Sequence, residues 1–251
     1  MRAFLLSIVL LCRAAAAAAD PVVFQDTIAQ RTLACTACHG KDGRAGPDGY
    51  YPRIAGKPVG YLYAQLLNFR DGRRHYGLMA GLLETLSDDY LFEIARYFSA
   101  LDLPYPPPPP TDAPPEMLQR GRSLVLQGDP DRHLPACVAC HGKALTGVRP
   151  DIPGLLGLPR DYLNAQLGAW RTGQRRAFAP DCMAEVARRL SPQELAAVTA
   201  WLAAQALPRD PHPVAAQAPQ PRKGRKAAAE PPPRPPLECG AAPLPVPESA
   251  R

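Results

Sequence analysis

The stretch Cys-Thr-Ala-Cys-His-Gly-Lys at residues 35–41 occurs a second time, as Cys-Val-Ala-Cys-His-Gly-Lys at residues 137–143. The similarity extends further along the chain. Residues 52–66 and 153–167 share a Pro-x-x-x-Gly-x-Pro segment followed by Tyr-Leu-x-Ala-Gln-Leu. A repeat on this scale indicates two copies of one structural unit.

Proline-rich segments show where the two copies begin and end. The chain has 251 residues and 32 prolines, well above the average share. The run at residues 104–115 favours an extended polyproline conformation and predicts a stiff linker. Residues 208–251 combine proline, alanine and basic residues with few large apolar side chains, which predicts a disordered tail. We therefore expect one domain at residues 20–103 and a second at residues 116–207.

The N-terminus has the three parts of a secretory signal. A positive start, a short apolar segment and an Ala-x-Ala site fill residues 1–19. We expect this segment to be cleaved and the protein to be periplasmic. A lipoprotein signal ending at Cys12 is the alternative, but Leu11 stands where a small residue is needed.

The local patterns within each copy are helical. A capping box at residues 191–194 is followed by apolar residues at helical spacing, and a similar spacing follows Ser87. Residues 61–69, 162–170 and 117–127 are predicted as further helices. No alternating strand pattern is evident. The predicted fold class is all-α, with two tandem domains.

The net charge argues against nucleic-acid binding. The full chain carries +6, but residues 20–207 carry only +1 because the signal and the tail hold most of the excess. Residues 20–103 sum to −1 and residues 116–207 to +3. Residues 20–207 are therefore too close to neutral to form the basic surface that binds nucleic acid.

Each Cys-x-x-Cys-His motif is typical of covalent haem attachment. The two thiols lie one helical turn apart, where they form thioether bonds to the haem, and the following His reaches the iron. A thioredoxin-like redox pair and part of a zinc site are the alternatives. We predict two covalently bound haem c groups (iron). The predicted attachment and proximal residues are Cys35, Cys38, His39, Cys137, Cys140 and His141.

Two methionines are the candidate second axial ligands. Met79 and Met183 hold equivalent places, 40 and 42 residues after their proximal histidines. A methionine in an apolar region is also common core filler. Ligation of each iron by a thioether raises the reduction potential and leaves no open coordination position. The pattern therefore indicates electron transfer, with no catalytic residues.

Further pairs match across the repeat. The backbone carbonyls of Pro52 and Pro153 are candidates to accept the proximal histidine Nδ1–H, although both are also ordinary loop prolines. Arg74 and Arg175 are candidates to bind haem propionates or to be solvated surface residues.

Among the remaining reactive side chains, Cys182 and Cys239 form a candidate disulfide, because an exported chain tends to oxidise free thiols. It would tie the tail to the loop that presents Met183.

With these motifs placed, residues 20–207 resemble the di-haem cytochrome c4 family. The most specific features are the Pro-x-x-x-Gly segment with its Tyr-Leu-x-x-Gln-Leu continuation, and a Leu-Ser pair seven residues after each methionine. The resemblance implies two class I cytochrome c domains, His/Met ligation by His39 and Met79 and by His141 and Met183, and periplasmic electron transfer. The basic tail with Cys239 departs from the family pattern.

The leading functional hypothesis is an electron carrier between redox proteins. Its partners would be a donor dehydrogenase or respiratory complex and an acceptor oxidase or reductase. The alternative is an electron-accepting di-haem subunit of a flavin or quinone dehydrogenase. A di-haem peroxidase is a third class, but it needs one iron with a coordination position that can become vacant. The basic tail leaves open an association with the membrane surface.

Overall fold

The computed structural model describes residues 25–46, 49–216 and 237–245. The predicted signal peptide at residues 1–19 lies outside this part of the chain. The described residues form two mainly helical domains, each with its own apolar core. Within these ranges, no helix combines the length and apolar character needed to cross a membrane.

Among the described residues, the five predicted helices are present with small shifts at their ends, together with five shorter α-helices that the sequence did not predict. In the first domain they are α1 Ile28–Arg31, α2 Leu33–His39, α3 Val59–Arg70, α4 Gly77–Leu83 and α5 Asp88–Ser99. In the second domain they are α6 Pro115–Gln127, α7 Cys137–His141, α8 Arg160–Thr172, α9 Cys182–Arg189 and α10 Pro192–Ala203.

The second domain also contains a small hairpin that the sequence did not predict. Strand β1, Gly147–Val148, pairs antiparallel with β2, Ile152–Pro153. Two-residue strands leave no alternation of apolar and polar residues to detect, so only their backbone hydrogen bonds identify them.

In the first domain, α5 packs against α3 and closes the core. Ser87 caps α5 by accepting a hydrogen bond from the Tyr90 backbone N–H. Leu91, Ile94 and Phe98 then lie on one face at helical spacing, and all three are buried.

In the second domain, α6 and α10 cross at a glycine. A Cβ at Gly121 would lie only 2.1 Å from the Ala197 carbonyl oxygen, so a larger residue would push the helices apart. The crossing brings the first and last helices of the domain together around Leu124 and Val198, both buried.

The N-terminus of α10 is held by an ion-pair cluster around Glu194. This carboxylate accepts hydrogen bonds from the Ser191 backbone N–H at 2.9 Å, from Arg132 at 2.6 Å and from Arg120 at 2.5 Å. The hydrogen bonds from Arg132 are the main reason that the pKa of Glu194 falls from 4.5 to about 2. Glu194 therefore joins α10, α6 and the turn before α7.

Replacing Glu194 with Gln is expected to lower the free energy of unfolding at pH 7 by about 2 to 3 kcal/mol. Because the folded pKa lies below the unfolded value, the ionised carboxylate stabilises the fold fully above pH 4.5. This contribution is lost as the pH falls towards 2. Urea unfolding should show the variant converging with the unsubstituted protein between pH 4.5 and pH 2.

Glu93→Gln is the matched control, because Glu93 pairs with Arg31 at the surface. We expect a cost below about 1 kcal/mol at pH 7 for this exposed pair. Equal losses in both variants would contradict a special role for Glu194.

Two parts of the predicted disordered tail pack onto the domains. At the first, Val214 donates its N–H to the Gly147 carbonyl at 3.0 Å and accepts from the Arg149 N–H at 2.8 Å, which extends the hairpin. The prediction of disorder over residues 208–251 therefore does not hold for residues 208–216. Backbone hydrogen bonds order this segment, and its one large apolar side chain, Val214, is 47% exposed.

The second packed segment, residues 237–245, is called the strap below. Cys239 forms the candidate disulfide with Cys182, and the Gly240 N–H donates to the Pro180 carbonyl at 2.9 Å. Ala242 then inserts into the core of the first domain, where it is 5% exposed. The strap thus begins on the second domain and ends on the first, and the expectation of disorder does not hold for it either. Ordering the strap costs conformational entropy, and its few apolar side chains do not offset that cost alone. The disulfide reduces it by restricting the unfolded chain.

The two domains meet through reciprocal backbone contacts. The His75 N–H donates to the Gln174 carbonyl at 2.8 Å, and the Arg176 N–H donates to the Arg73 carbonyl at 2.7 Å. In the repeat, His75 matches Arg176 and Arg73 matches Gln174. Equivalent residues of the two copies therefore make equivalent contacts across the interface.

Candidate haem-binding sites

Each Cys-x-x-Cys-His motif folds as a short helix that ends at its histidine. Helices α2 and α7 stop at His39 and His141, and the next residues, Gly40 and Gly142, have φ values of 74° and 83°. This left-handed region favours glycine. His39 is 8% exposed and His141 is 7% exposed, so the turn directs each imidazole into its domain.

Both imidazoles are oriented by a backbone carbonyl. His39 Nδ1 lies 2.8 Å from the Pro52 oxygen, and His141 Nδ1 lies 2.7 Å from the Pro153 oxygen. These bonds confirm the predicted acceptors. Burial lowers the pKa of both histidines, which favours the neutral ring. With Nδ1–H donated to a carbonyl, the Nε2 lone pair of each ring is free to bind a metal.

The two methionines come from equivalent helices. Met79 lies on α4 and packs against the core of the first domain. Met183 lies in the first turn of α9, next to the disulfide at Cys182. Asp181 holds the start of α9 by accepting a hydrogen bond from the Ala184 N–H at 3.0 Å. The start of the helix that carries Met183 is therefore fixed by both a cap and a cross-link.

One cavity of about 1910 Å³ brings these groups together. Pockets for a single small ligand are typically about 300–1,000 Å³, so this volume suits two large cofactors. Cys38 is exposed and is not among the lining residues. The other predicted ligand and attachment residues all line the cavity, namely Cys35, His39, Met79, Cys137, Cys140, His141 and Met183.

The cavity wall contains a buried polar atom that fits a haem carboxylate. Trp170 Nε1 is buried and has no hydrogen-bond partner among the described residues. Such an indole N–H is costly to leave unpaired, and a propionate would satisfy it. Neutral imidazoles, thiols and methionines on the same wall complete a donor set that suits haem c.

Arg74 and Arg175 lie at the domain interface instead of at the surface. Arg74 donates to Gln65 at 2.9 Å and to Gln166 at 2.6 Å. Arg175 donates to Gln166 at 2.8 Å and to Gln65 at 3.0 Å. Each guanidinium thus binds one glutamine of its own domain and one of the other. The sequence contained a signal for this network, because all four residues match in pairs across the repeat.

Comparison with known proteins agrees with the geometry of the sites. The cytochrome c family model matches residues 119–206. A thiosulfate dehydrogenase electron acceptor from Thiomonas intermedia is 39% identical over 62% of this chain and 71% of its own length. Cytochrome c4 from Pseudomonas aeruginosa is 32% identical over 66% of this chain and 80% of its own length. The chain belongs to the di-haem cytochrome c4 family.

Solved structures support the same assignment for this cytochrome. Reduced recombinant cytochrome c4 from Pseudomonas stutzeri has a TM-score of 0.59 and 30% identity, over 70% of this chain and 95% of its own. A thiosulfate dehydrogenase from Marichromatium purpuratum has a TM-score of 0.60 and 36% identity. The match covers 67% of this chain but only 36% of the dehydrogenase chain.

The family membership settles the predicted class of protein. The fold is all-α with tandem cytochrome c domains, and the cofactor is covalently bound haem c. The protein is an electron carrier and not itself an enzyme. The thioredoxin-like and zinc-site interpretations of the Cys-x-x-Cys motifs are therefore set aside.

Proposed function

We propose that this cytochrome is exported to the periplasm and carries electrons away from a dehydrogenase, with a thiosulfate dehydrogenase as its donor. The donor assignment rests on two relatives that are themselves electron acceptors of thiosulfate dehydrogenase. A flavin or quinone dehydrogenase, the alternative donor from the sequence, is a different class of enzyme. A terminal oxidase is the proposed acceptor.

The proposed ligands follow the repeat. In the first domain, Cys35 and Cys38 attach the haem and His39 and Met79 bind its iron. The second domain's equivalents are Cys137, Cys140, His141 and Met183.

The shared cavity is the observation that carries the proposal. Haem c supplies a one-electron redox centre when bound. Arg74 and Arg175 fix the two domains against each other, so both sites stay in one cavity. His39 and His141 hold neutral imidazoles towards that space. A methionine ligand on each iron leaves no coordination position open for a substrate, so the sites favour electron exchange.

The donor can be tested by rapid mixing. The oxidised cytochrome is mixed without oxygen with a thiosulfate dehydrogenase and thiosulfate, and absorption of reduced haem is followed. We expect reduction of both haems within the turnover time of the dehydrogenase. Thiosulfate without the dehydrogenase should give none.

A cytochrome that dithionite reduces fully but the dehydrogenase does not would contradict the proposed donor. In that case the same assay with a flavin dehydrogenase and its substrate would distinguish the alternative donor class.

A further inference from the structure

The charged residues on the cavity wall are divided unequally between the domains. The first domain contributes four cations and no carboxylate, namely Arg31, Arg53, Lys57 and Arg74. The second contributes two cations and three carboxylates, namely Lys143, Arg175, Asp151, Asp161 and Asp181. The whole-domain charges, −1 and +3, have the opposite order.

Lys57 is the unusual cation of this wall. It is 5% exposed and forms no hydrogen bond or ion pair within the described ranges. Burial, together with the nearby charge of Arg53, lowers its pKa to about 8. A buried ammonium that faces a cavity without an acceptor is strongly stabilised by a carboxylate placed there.

Arg53, in contrast, already has backbone carbonyls as hydrogen-bond acceptors. It donates to the carbonyls of Leu103 and Pro104 and stacks over the Tyr105 ring at 3.8 Å. Its charge is fixed near the first site, but its donors are bound to the carbonyls of Ala55, Leu103 and Pro104. Lys57 therefore has the free donors.

The repeat shows what replaces Lys57 in the second domain. Its equivalent there is Leu158, which is also buried and also lines the cavity. At a second pair of equivalent positions the donor lies in the other domain. Trp170, whose indole N–H has no partner among the described residues, is matched by Phe69 in the first domain. The first domain thus offers a charged donor to the cavity, and the second offers a neutral one.

We propose that Lys57 binds a haem propionate of the first domain and thereby makes that domain the one with the higher reduction potential. This inference rests on the proposed haem ligands. A buried cation stabilises the less positive, reduced iron, and the low dielectric of the cavity strengthens the effect. The single electron of the half-reduced molecule then resides in the first domain.

The test is a redox titration of the full chain with both haems bound. We expect Lys57→Gln to lower the higher of the two midpoints and to leave the lower one in place. The electron distribution should change about tenfold, which is about 59 mV for a one-electron couple. Lys57→Arg, which keeps the charge, should restore most of the shift.

Lys41→Gln is the matched control, because it removes the same charge from an exposed position two residues after His39. Its midpoints should stay near those of the unsubstituted protein. A shift of the lower midpoint in Lys57→Gln, or an equal shift in Lys41→Gln, would overturn the inference.

A second measurement needs no stable variant at position 57. In the unsubstituted protein at half reduction, the Met79 methyl resonance in proton NMR should reach its reduced position before that of Met183. The opposite order would overturn the inference. Loss of a haem or a high-spin spectrum would instead count against the proposed ligands, so the two failures are distinguishable.

Discussion

Replacing Met79 or Met183 with Ala is expected to convert one haem from low-spin to high-spin and to leave the other unchanged. Each methionine lies on its own helix, α4 or α9, and each faces the shared cavity. Alanine provides no sulfur ligand. The midpoint of the affected haem should fall by on the order of 0.1 to 0.3 V, within the ~0.8 V range that axial ligands cover. Optical spectra and redox titration measure both effects.

Met117→Ala is the control for this prediction. Met117 lies on α6, where its sulfur contacts Arg160 and does not line the cavity. Its loss should leave both low-spin haems intact. A low-spin spectrum in both Met79→Ala and Met183→Ala would show that these methionines are not ligands.

Removing the disulfide with Cys239→Ser should produce the largest loss of stability. The cross-link joins residues 57 positions apart, and closing such a loop contributes about 2 to 4 kcal/mol. The strap also loses its anchor, so Ala242 no longer stays in the core of the first domain. Urea unfolding should show the lower stability, and limited proteolysis should cut the strap faster.

The double variant Cys182→Ser with Cys239→Ser should be no less stable than either single variant, because all three break the same bond. Ala242→Asp tests the far end of the strap while keeping the disulfide. We expect it to accelerate proteolysis by placing a carboxylate in an apolar core. Unchanged stability in Cys239→Ser would show that the strap contributes nothing.

The haem sites could be predicted from the sequence because covalent chemistry fixes the spacing of their residues. Two thiols and a histidine must follow one another within a helical turn, so Cys35 to His39 can be recognised without any tertiary contact. The capping box at Ser191 is equally local. These features need only neighbouring residues, and the structure shows the short helix that ends at His39 and the capping box at Ser191.

Features that depend on distant contacts were harder to predict. Composition described residues 237–245 as tail, since nothing local shows that Ala242 reaches another domain. Whole-domain charge likewise does not describe the charge on the cavity wall. It weighs every ionisable residue equally, whereas the cavity wall includes Lys57 and Asp181 and leaves most surface charges out. Position relative to the site decides the electrostatics.

The reciprocal interface has a consequence for how such a protein is assembled. Arg74 binds Gln166 while Arg175 binds Gln65, and the backbone pairs around them exchange in the same way. This is the contact pattern of an isologous homodimer with two-fold symmetry. The tandem chain is therefore equivalent to a fused dimer of one cytochrome domain. The linker at residues 104–115 gives each domain a high effective concentration relative to the other. The residues repeated in both copies make the contacts by which the domains bind each other.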